Sequence, residues 1–390
     1  MTQKDIATIK RRLNPQKRNP SMIRGCYVDS NGNILTTFRK SVVEIPTEDL
    51  QKYLTIFRKS LSGTYGQQLL PIEFSNEQVS SDTAYEELMG LCRTELEDEN
   101  VANAFYEKII SWMRSEFVAG LQSVEEQQKR PNYLILFMYD SFDVAFKHPD
   151  GEEDMEMSES IFNYVICAVC PVQQSKEALG YYENEAAFHS RPSDWVVTMP
   201  DLGFMFPSME NGSANISQAL YYTKDSSNVH DDFIRNVFHG EIKMNASEQK
   251  ETVCSMLQNT LKEECSMDVV QAVNDKVGEM IAQQKEDKAA EPLQLSSHDV
   301  TRVLESAGVS EEKVEAFRQS YKDTFGEKAE IPAVNVVSTK EFKVVTPSVQ
   351  IKVAPEHSDL VTTRVIDGQK YIMILADGDV EVNGVNIAIQ

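Results

Sequence analysis

Asp140, Asp143 and Asp150 follow closely on an apolar run, and His189 and Asp194 lie downstream in what reads as the same domain. Carboxylates at a strand end, together with an imidazole, are donor types that hold a divalent cation and let it activate water. Asp140, Asp143, His189 and Asp194 are therefore candidate catalytic residues of a metal-dependent hydrolase or nuclease. Their spacing matches no fixed metal motif. Taken alone, these residues favour the ordinary acids of a solvated turn, and no metal or cofactor is assigned from them. Cys167 and Cys170 make the one Cys-x-x-Cys. A zinc site needs four ligands, usually two such pairs. This pair also falls in an expected strand, where positions three apart face opposite sides, so buried packing is expected. Ser62-Gly63-Thr64-Tyr65-Gly66 could turn N–H groups toward a phosphate. It follows a helix and lacks the Lys-Ser/Thr ending of a P-loop, which favours a tight connection needing Gly at positive φ.

The charge distribution suggests a different chemistry. Residues 1–24 hold Lys4, Lys10, Arg11, Arg12, Lys17, Arg18 and Arg24 against Asp5 alone, while the whole chain carries −23. An acidic body cannot wrap nucleic acid over its surface, because phosphate contacts need Lys and Arg along the path. A local DNA contact through a basic arm is compatible with it, as is an acidic surface offered to a basic protein partner. Lys4, Lys10, Arg11, Arg12, Lys17 and Arg18 are the candidate nucleic-acid contacts. A helical period puts Ile6, Ile9 and Leu13 on one face, with Lys10 and Arg12 largely on others. Charge reversal at Lys10, Arg11 and Arg12 is then expected to spare the fold. The alternatives are a docked amphipathic helix with a solvated basic face, or docking onto the protein's own acidic connection of Asp150, Glu152, Glu153, Asp154, Glu156 and Glu159.

These groups must be positioned by a chain of 390 residues, long enough for two or three domains. With 41% hydrophobic and 25% charged residues, neither a disordered nor a fibrous class is indicated. There is no apolar run of about 18 residues, so no membrane span is expected. The basic N-terminus has no apolar core behind it and does not resemble a secretory signal. Six cysteines spread over this length suggest free thiols in a reducing, cytoplasmic setting.

Thr2 with Asp5 forms a capping box for a short basic helix stopped by Asn14-Pro15. Strands are expected over 22–29 and 33–44, joined by Asn31-Gly32, and a helix over 47–60 carrying Leu50, Leu54 and Phe57 on one face. Residues 77–117 read as two helices. Buried strands are expected over 133–139 and 162–170, with shorter ones over 194–200, 203–207 and 220–223. From 246 to 287 the period is helical. Val253, Met256, Leu257 and Leu261 share one face, and Val269, Val273, Val277, Met280 and Ile281 another, which suggests an antiparallel pair and a homodimer surface. A helix–turn–helix follows, with Val300, Val303 and Leu304 before Gly308 and Val314, Phe317 and Tyr321 after it. Its second helix balances Glu311, Glu312, Glu315 and Asp323 against Lys313, Arg318 and Lys322, which suits core packing better than a DNA groove. After Pro332, Asp367-Gly368, Asp377-Gly378 and Asn383-Gly384 punctuate β-branched runs as in a meander.

Several segments carry a family resemblance: Arg24-Gly25-Cys26-Tyr27-Val28, Leu61-Ser62-Gly63-Thr64, Asp194-Trp195-Val196-Val197 with Met199-Pro200, Tyr221-Tyr222-Thr223-Lys224-Asp225, and Thr363-Arg364-Val365-Ile366-Asp367-Gly368. Over its whole length the chain resembles an uncharacterised bacterial family of about this size, described as a domain of unknown function. That resemblance implies no activity. The order of elements is also similar to that of the bacterial 37-kilodalton nucleoid-associated proteins. The likeness rests on the helix-to-strand run 131–144, the strand 164–172, the segment Ser306-Ala307-Gly308-Val309-Ser310 leading into a helix, and a terminal β unit from 349. It implies association with the nucleoid or with DNA-handling machinery.

The expected fold class is α+β: a mixed domain over 1–240 with its basic arm, a helical region over 241–330, and a C-terminal β unit over 331–390. The expected function is that of a non-catalytic cytoplasmic binding protein, with DNA or a basic protein as partner. A metal-dependent hydrolase or nuclease is the alternative, and a structural or assembly protein the third reading.

Overall fold

A computed structural model describes residues 1–17, 19–119, 130–144, 146–147, 153–154, 160–210, 213–240, 244–286, 293–327, 329–338, 341–376, 378–382 and 384–388. The chain is α+β and divides into two compact units, Met1–Asn245 and Ala246–Gln390. The expected helical and C-terminal parts both lie in the second. Among the described residues no helix is long and apolar enough to cross a membrane.

In the first unit, α1 (Gln3–Arg12) starts at the expected capping box. The Thr2 hydroxyl accepts from the Asp5 N–H at 3.1 Å, and the Asp5 carboxylate accepts from the Thr2 N–H at 2.9 Å. The hairpin of β1 (Met22–Val28) and β2 (Ile34–Ser41) turns at Asn31-Gly32, and α2 (Thr47–Lys59) and β3 (Leu69–Glu73) follow. Where two helices were expected there are three: α3 (Asn76–Ser81), α4 (Thr83–Arg93) and α5 (Glu99–Ala119). The break falls at Asp82, which ends α3 in an extended conformation. Its carboxylate accepts from the Ala84 and Tyr85 N–H groups and so opens α4. The longer elements that follow, with the short sheet strand β8, are β4 (Asn132–Val144), β5 (Ser160–Gln174), β6 (Ala178–Tyr182), β7 (Ala187–Arg191), β8 (Trp195–Val197), β9 (Leu202–Phe206), β10 (Gln218–Thr223) and α6 (Asp231–Phe238).

Strands β2-β1-β4-β5-β9-β10-β3 form one sheet in that order, with β8 also on β5, and every pairing in it is antiparallel. Both faces are covered. Ile135, Phe137 and Tyr139 of β4 pack with Leu88 of α4, Phe105 of α5 and Phe233 of α6; Leu134, Leu136 and Met138 pack with Ile6 and Ile9 of α1 and Leu54 and Phe57 of α2. Burial on both sides explains why β4 and β5 read as unbroken apolar runs rather than alternating ones. Gly203, in β9, is a point of close approach. A Cβ there would lie 2.5 Å from the Cys167 carbonyl oxygen and 2.9 Å from the Ser60 hydroxyl oxygen.

The second unit is built on α7 (Ala246–Leu261), α8 (Met267–Glu286), α9 (Ser297–Ser306) and α10 (Glu311–Phe325). The stripes of α7 and α8 do not mainly cover each other: α7 packs on α10 and α8 on α9. Val253, Met256, Val273 and Val277 thus share one core with Val303, Leu304, Phe317 and Tyr321. The apolar faces that suggested a homodimer are covered within the chain. Beyond them lie three hairpins, β11 (Phe342–Val345) with β12 (Gln350–Val353), β13 (Val361–Ile366) with β14 (Gln369–Ile374), and β15 (Val380–Val382) with β16 (Val385–Ile387). The Gln271 side chain of α8 holds the root of β13, donating to the Ser358 and Val361 carbonyls at 2.7 and 3.0 Å.

Candidate functional site

The N-terminal segment is a docked helix. Ile6, Ile9 and Leu13 are buried against the sheet face shared with α2. Arg12 lies along that surface: its Nε donates to Asp140 Oδ2 at 2.7 Å and its Nη2 to Asp140 Oδ1 at 2.9 Å. The same Nη2 reaches the Ser141 carbonyl at 3.1 Å, and the guanidinium carbon stands 4.2 Å from the Phe142 ring centroid. The Tyr164 hydroxyl donates to Asp140 Oδ2 at 2.7 Å, so the fully buried carboxylate has three donors. Arg12, a candidate nucleic-acid contact, and Asp140, a candidate metal ligand, are each other's partner.

The other cations of the segment are differently placed. Lys4, Arg11 and Lys17 are exposed and Lys10 is half-buried; Arg18 lies outside the described residues. Burial pulls the Lys10 ammonium below its ordinary range, and Lys59 and then Arg58 push the same way by like-charge repulsion. Lys59 Nζ also lies 5.9 Å from the Tyr222 ring centroid. Among the described residues none of Lys10, Arg58 and Lys59 pairs with a carboxylate. Cations in the last turn suit a helix dipole, and both helices carry them there: Lys10, Arg11 and Arg12 in α1, Arg58 and Lys59 in α2. That accounts for each helix separately. Bringing the two ends together opposes it, because it gathers like charge at a half-buried position in a protein of net charge −23. Arg58 and Lys59 were not among the candidates legible in the sequence. The available signal was an Arg-Lys pair closing a helix whose Leu50, Leu54 and Phe57 pack on the same side of the sheet as α1.

The four candidate catalytic residues do not meet. Asp140 sits opposite Tyr164 in the β4–β5 ladder and Asp143 opposite Ile161. Asp194 bonds through its backbone to Ser175, beyond the other end of β5. Tyr164 and Ser175 are eleven residue steps apart along the strand, about 36 Å at 3.3 Å per step. His189 lies further out, with Nε2 2.8 Å from the Glu185 carboxylate. Among the described residues no group of three or more His, Cys, Asp or Glu side chains could hold a metal ion. Asp150, Glu152, Glu156 and Glu159 lie outside the described residues, and Glu153-Asp154 pair as a two-residue strand with Phe146-Lys147.

The remaining sequence candidates are structural. Cys167 and Cys170 face opposite sides of the sheet, one in each core, and burial pushes both thiols well up. In the 62–66 connection the Thr64 N–H donates to Gln68 Oε1 and the Gly66 N–H to the Leu69 carbonyl, while Gly63 and Gly66 take φ of +149° and +81°. These N–H groups are used locally, in a tight turn. In the helix–turn–helix, Arg318 pairs with Glu315 at 2.7 Å and Lys322 lies 3.9 Å from Glu327.

The family model described as a domain of unknown function, DUF4317, matches residues 1–385. The chain belongs to this family. No curated protein and no solved structure matches it. The family's description carries no activity to the site, so the α1–α2 face of this DUF4317 member is judged on its own chemistry.

Proposed function

We propose that this chain is a non-catalytic binding protein that meets a phosphate-rich polyanion, nucleic acid first among them, through the joined ends of α1 and α2. The observation that carries this reading is Lys10, half-buried beside Lys59 and Arg58 with no carboxylate of the described residues paired to any of the three. Gathering such charges costs free energy in the isolated molecule, and an anion placed among them returns it. Exposed Arg11 and Lys17 extend the same basic segment. Arg12 is not part of the face, because Asp140 holds it. A cytoplasmic, nucleoid-linked setting belongs to this proposal and rests on composition and on the likeness in element order. The metal-dependent alternative gains no support from a carboxylate set spread along about 36 Å of strand.

The test is fluorescence anisotropy of labelled duplex DNA titrated with the full chain from roughly 50 to 200 mM salt. Binding should be sequence-tolerant and weaken with a log–log slope of about −3 to −5, as three to five cations meeting phosphates require. Lys10→Glu with Arg58→Glu and Lys59→Glu should abolish it while the circular dichroism spectrum stays unchanged. No binding at the lowest salt, or equal binding by the triple variant, rejects the proposal.

A further inference from the structure

A lysine attacks carbon only as the neutral amine, because the ammonium form has no free electron pair. Several lysines of this chain sit against carboxylates, which favour the charged form. Lys52 lies 3.4 Å from Asp49, Lys224 3.0 Å from Asp201 and Lys276 2.9 Å from Glu279. Lys10 is the opposite case. Among the described residues no carboxylate pairs with it, and the charges acting on it are those of Lys59 and Arg58. Its place beside them is set by packing, since Ile6, Ile9 and Leu13 of its own segment and Leu50, Leu54 and Phe57 of α2 share one core. Burial and neighbouring cations both disfavour the ammonium, and these are the two devices that turn a lysine into a nucleophile. Half-buried, the residue is desolvated but still in reach of a small reagent.

The two neighbours supply the other half of a site. Lys59 is exposed and Arg58 half-buried, and the Lys59 ammonium rests 5.9 Å from the Tyr222 ring centroid. An ammonium beside a guanidinium is a receptor for a phosphate group. An acyl phosphate carries, on adjacent atoms, the anion that such a pair holds and the carbonyl that an amine attacks.

We propose that Lys10 is acylated by acyl phosphates, with Lys59 and Arg58 holding the phosphate of the donor while the Lys10 amine takes the acyl group. The phosphate half of this site rests on the same reading of the α1–α2 face as the polyanion contact. In the step, Lys10 Nζ forms a bond to the acyl carbon as the bond from that carbon to the phosphate oxygen breaks. Inorganic phosphate leaves with the bonding pair, and the amine gives up a proton to solvent. Lys59 and Arg58 stabilise the charge that develops on the departing oxygen. The product is a neutral amide, so the face keeps only two of its three charges at this point.

The test is incubation of the full chain with acetyl phosphate at about pH 8, below the ordinary lysine range, with each lysine followed by peptide mass spectrometry. Lys10 should react at least about tenfold faster than the exposed Lys4 and Lys17, because each unit by which a pKa falls gives tenfold more neutral amine. p-Nitrophenyl acetate, a donor without phosphate, reads the amine alone. Excess inorganic phosphate should slow the reaction of Lys10 with acetyl phosphate and leave that with p-nitrophenyl acetate unchanged. Arg58→Gln with Lys59→Gln, checked for an unchanged circular dichroism spectrum, should slow acetyl phosphate at least about tenfold more than p-nitrophenyl acetate. Lys10 reacting no faster than Lys4 and Lys17 overturns the proposal, as does equal competition or equal slowing with both donors. Preferred acetylation in a chain that does not bind DNA supports this site and rejects nucleic acid as the partner. DNA binding without preferred acetylation overturns the site and leaves the polyanion contact standing.

Discussion

Arg12 in the first helix and Asp140 in the centre of the sheet, 128 residues apart, form a two-point ion pair of 2.7 and 2.9 Å. The Arg12 side chain is 21% exposed and that of Asp140 is fully buried. A buried pair adds little net stability over an apolar replacement, but removing one member leaves the other charge stranded. Arg12→Ala should therefore destabilise the first unit by about 3–5 kcal/mol in urea denaturation, whereas Arg12→Met combined with Asp140→Leu should recover most of that loss. A cost below about 1 kcal/mol for Arg12→Ala would mean that the pair is effectively solvated. The expectation that Arg12 could be reversed without harm to the fold is thus corrected: a carboxylate at 12 would face a buried carboxylate at 140.

That pair also marks the limit of what was legible in the sequence. The helix itself could be read, because Thr2, Asp5, Ile6 and Ile9 carry a local code of cap and period. The docking could not, since no local pattern ties residue 12 to residue 140. The strands β4 and β5 were recognisable as apolar runs because both of their faces are buried. β3 was not, for it is five residues long and interrupted by Pro71. The β6–β7 hairpin was missed for another reason. Ala178–Tyr182 and Ala187–Arg191 lack the alternation that one buried face imposes, and nothing in the described structure covers either face.

Gly203 tests the packing of β9. Its Cβ position is blocked by the Cys167 carbonyl of the neighbouring strand, a backbone atom that cannot swing aside, and by the buried Ser60 side chain. Gly203→Ala should cost about 2 kcal/mol or more through overpacking. Gly278, where a Cβ would have no neighbour within 4 Å, is the control: in α8, Gly278→Ala should stabilise by about 0.5–1 kcal/mol. Equal effects at the two sites would contradict this account of the sheet.

His230 should make stability depend on pH. It precedes α6 in a left-handed conformation, φ +54°, with its ring 5.6 Å from that of Trp112. Burial lowers its pKa below the ordinary 6.5, and the nearby Asp232, Asp201, Asp225 and Asp231 offset this only in part. Between the lowered folded value and 6.5, the unfolded chain binds the proton and the folded chain does not, so stability rises with pH across that window. Acidification from 6.5 should thus weaken the first unit. His230→Asn, which tolerates the left-handed backbone and does not titrate, should flatten that part of the profile in urea midpoints measured at each pH. An unchanged slope in the variant would assign the effect to another group.

Lys10 offers a test of the proposed anion contact that mutation of an ordinary surface lysine would not. Its pKa is lowered by burial and then by Lys59 and Arg58, so a phosphate bound among the three must favour its charged form. Binding and protonation are then linked: affinity for DNA should fall as pH rises through the lowered value, before ordinary lysines near 10.4 begin to lose charge. In the same window complex formation should take up a proton, which appears in calorimetry as a binding enthalpy that varies with the ionisation enthalpy of the buffer. Lys10→Arg keeps the charge but cannot deprotonate in this range, so it should retain affinity and lose both signatures. If the wild type binds DNA with no pH dependence below about 10 and no proton uptake, Lys10 is not at the contact. The anion would then have to be met by the exposed cations Lys4, Arg11 and Lys17.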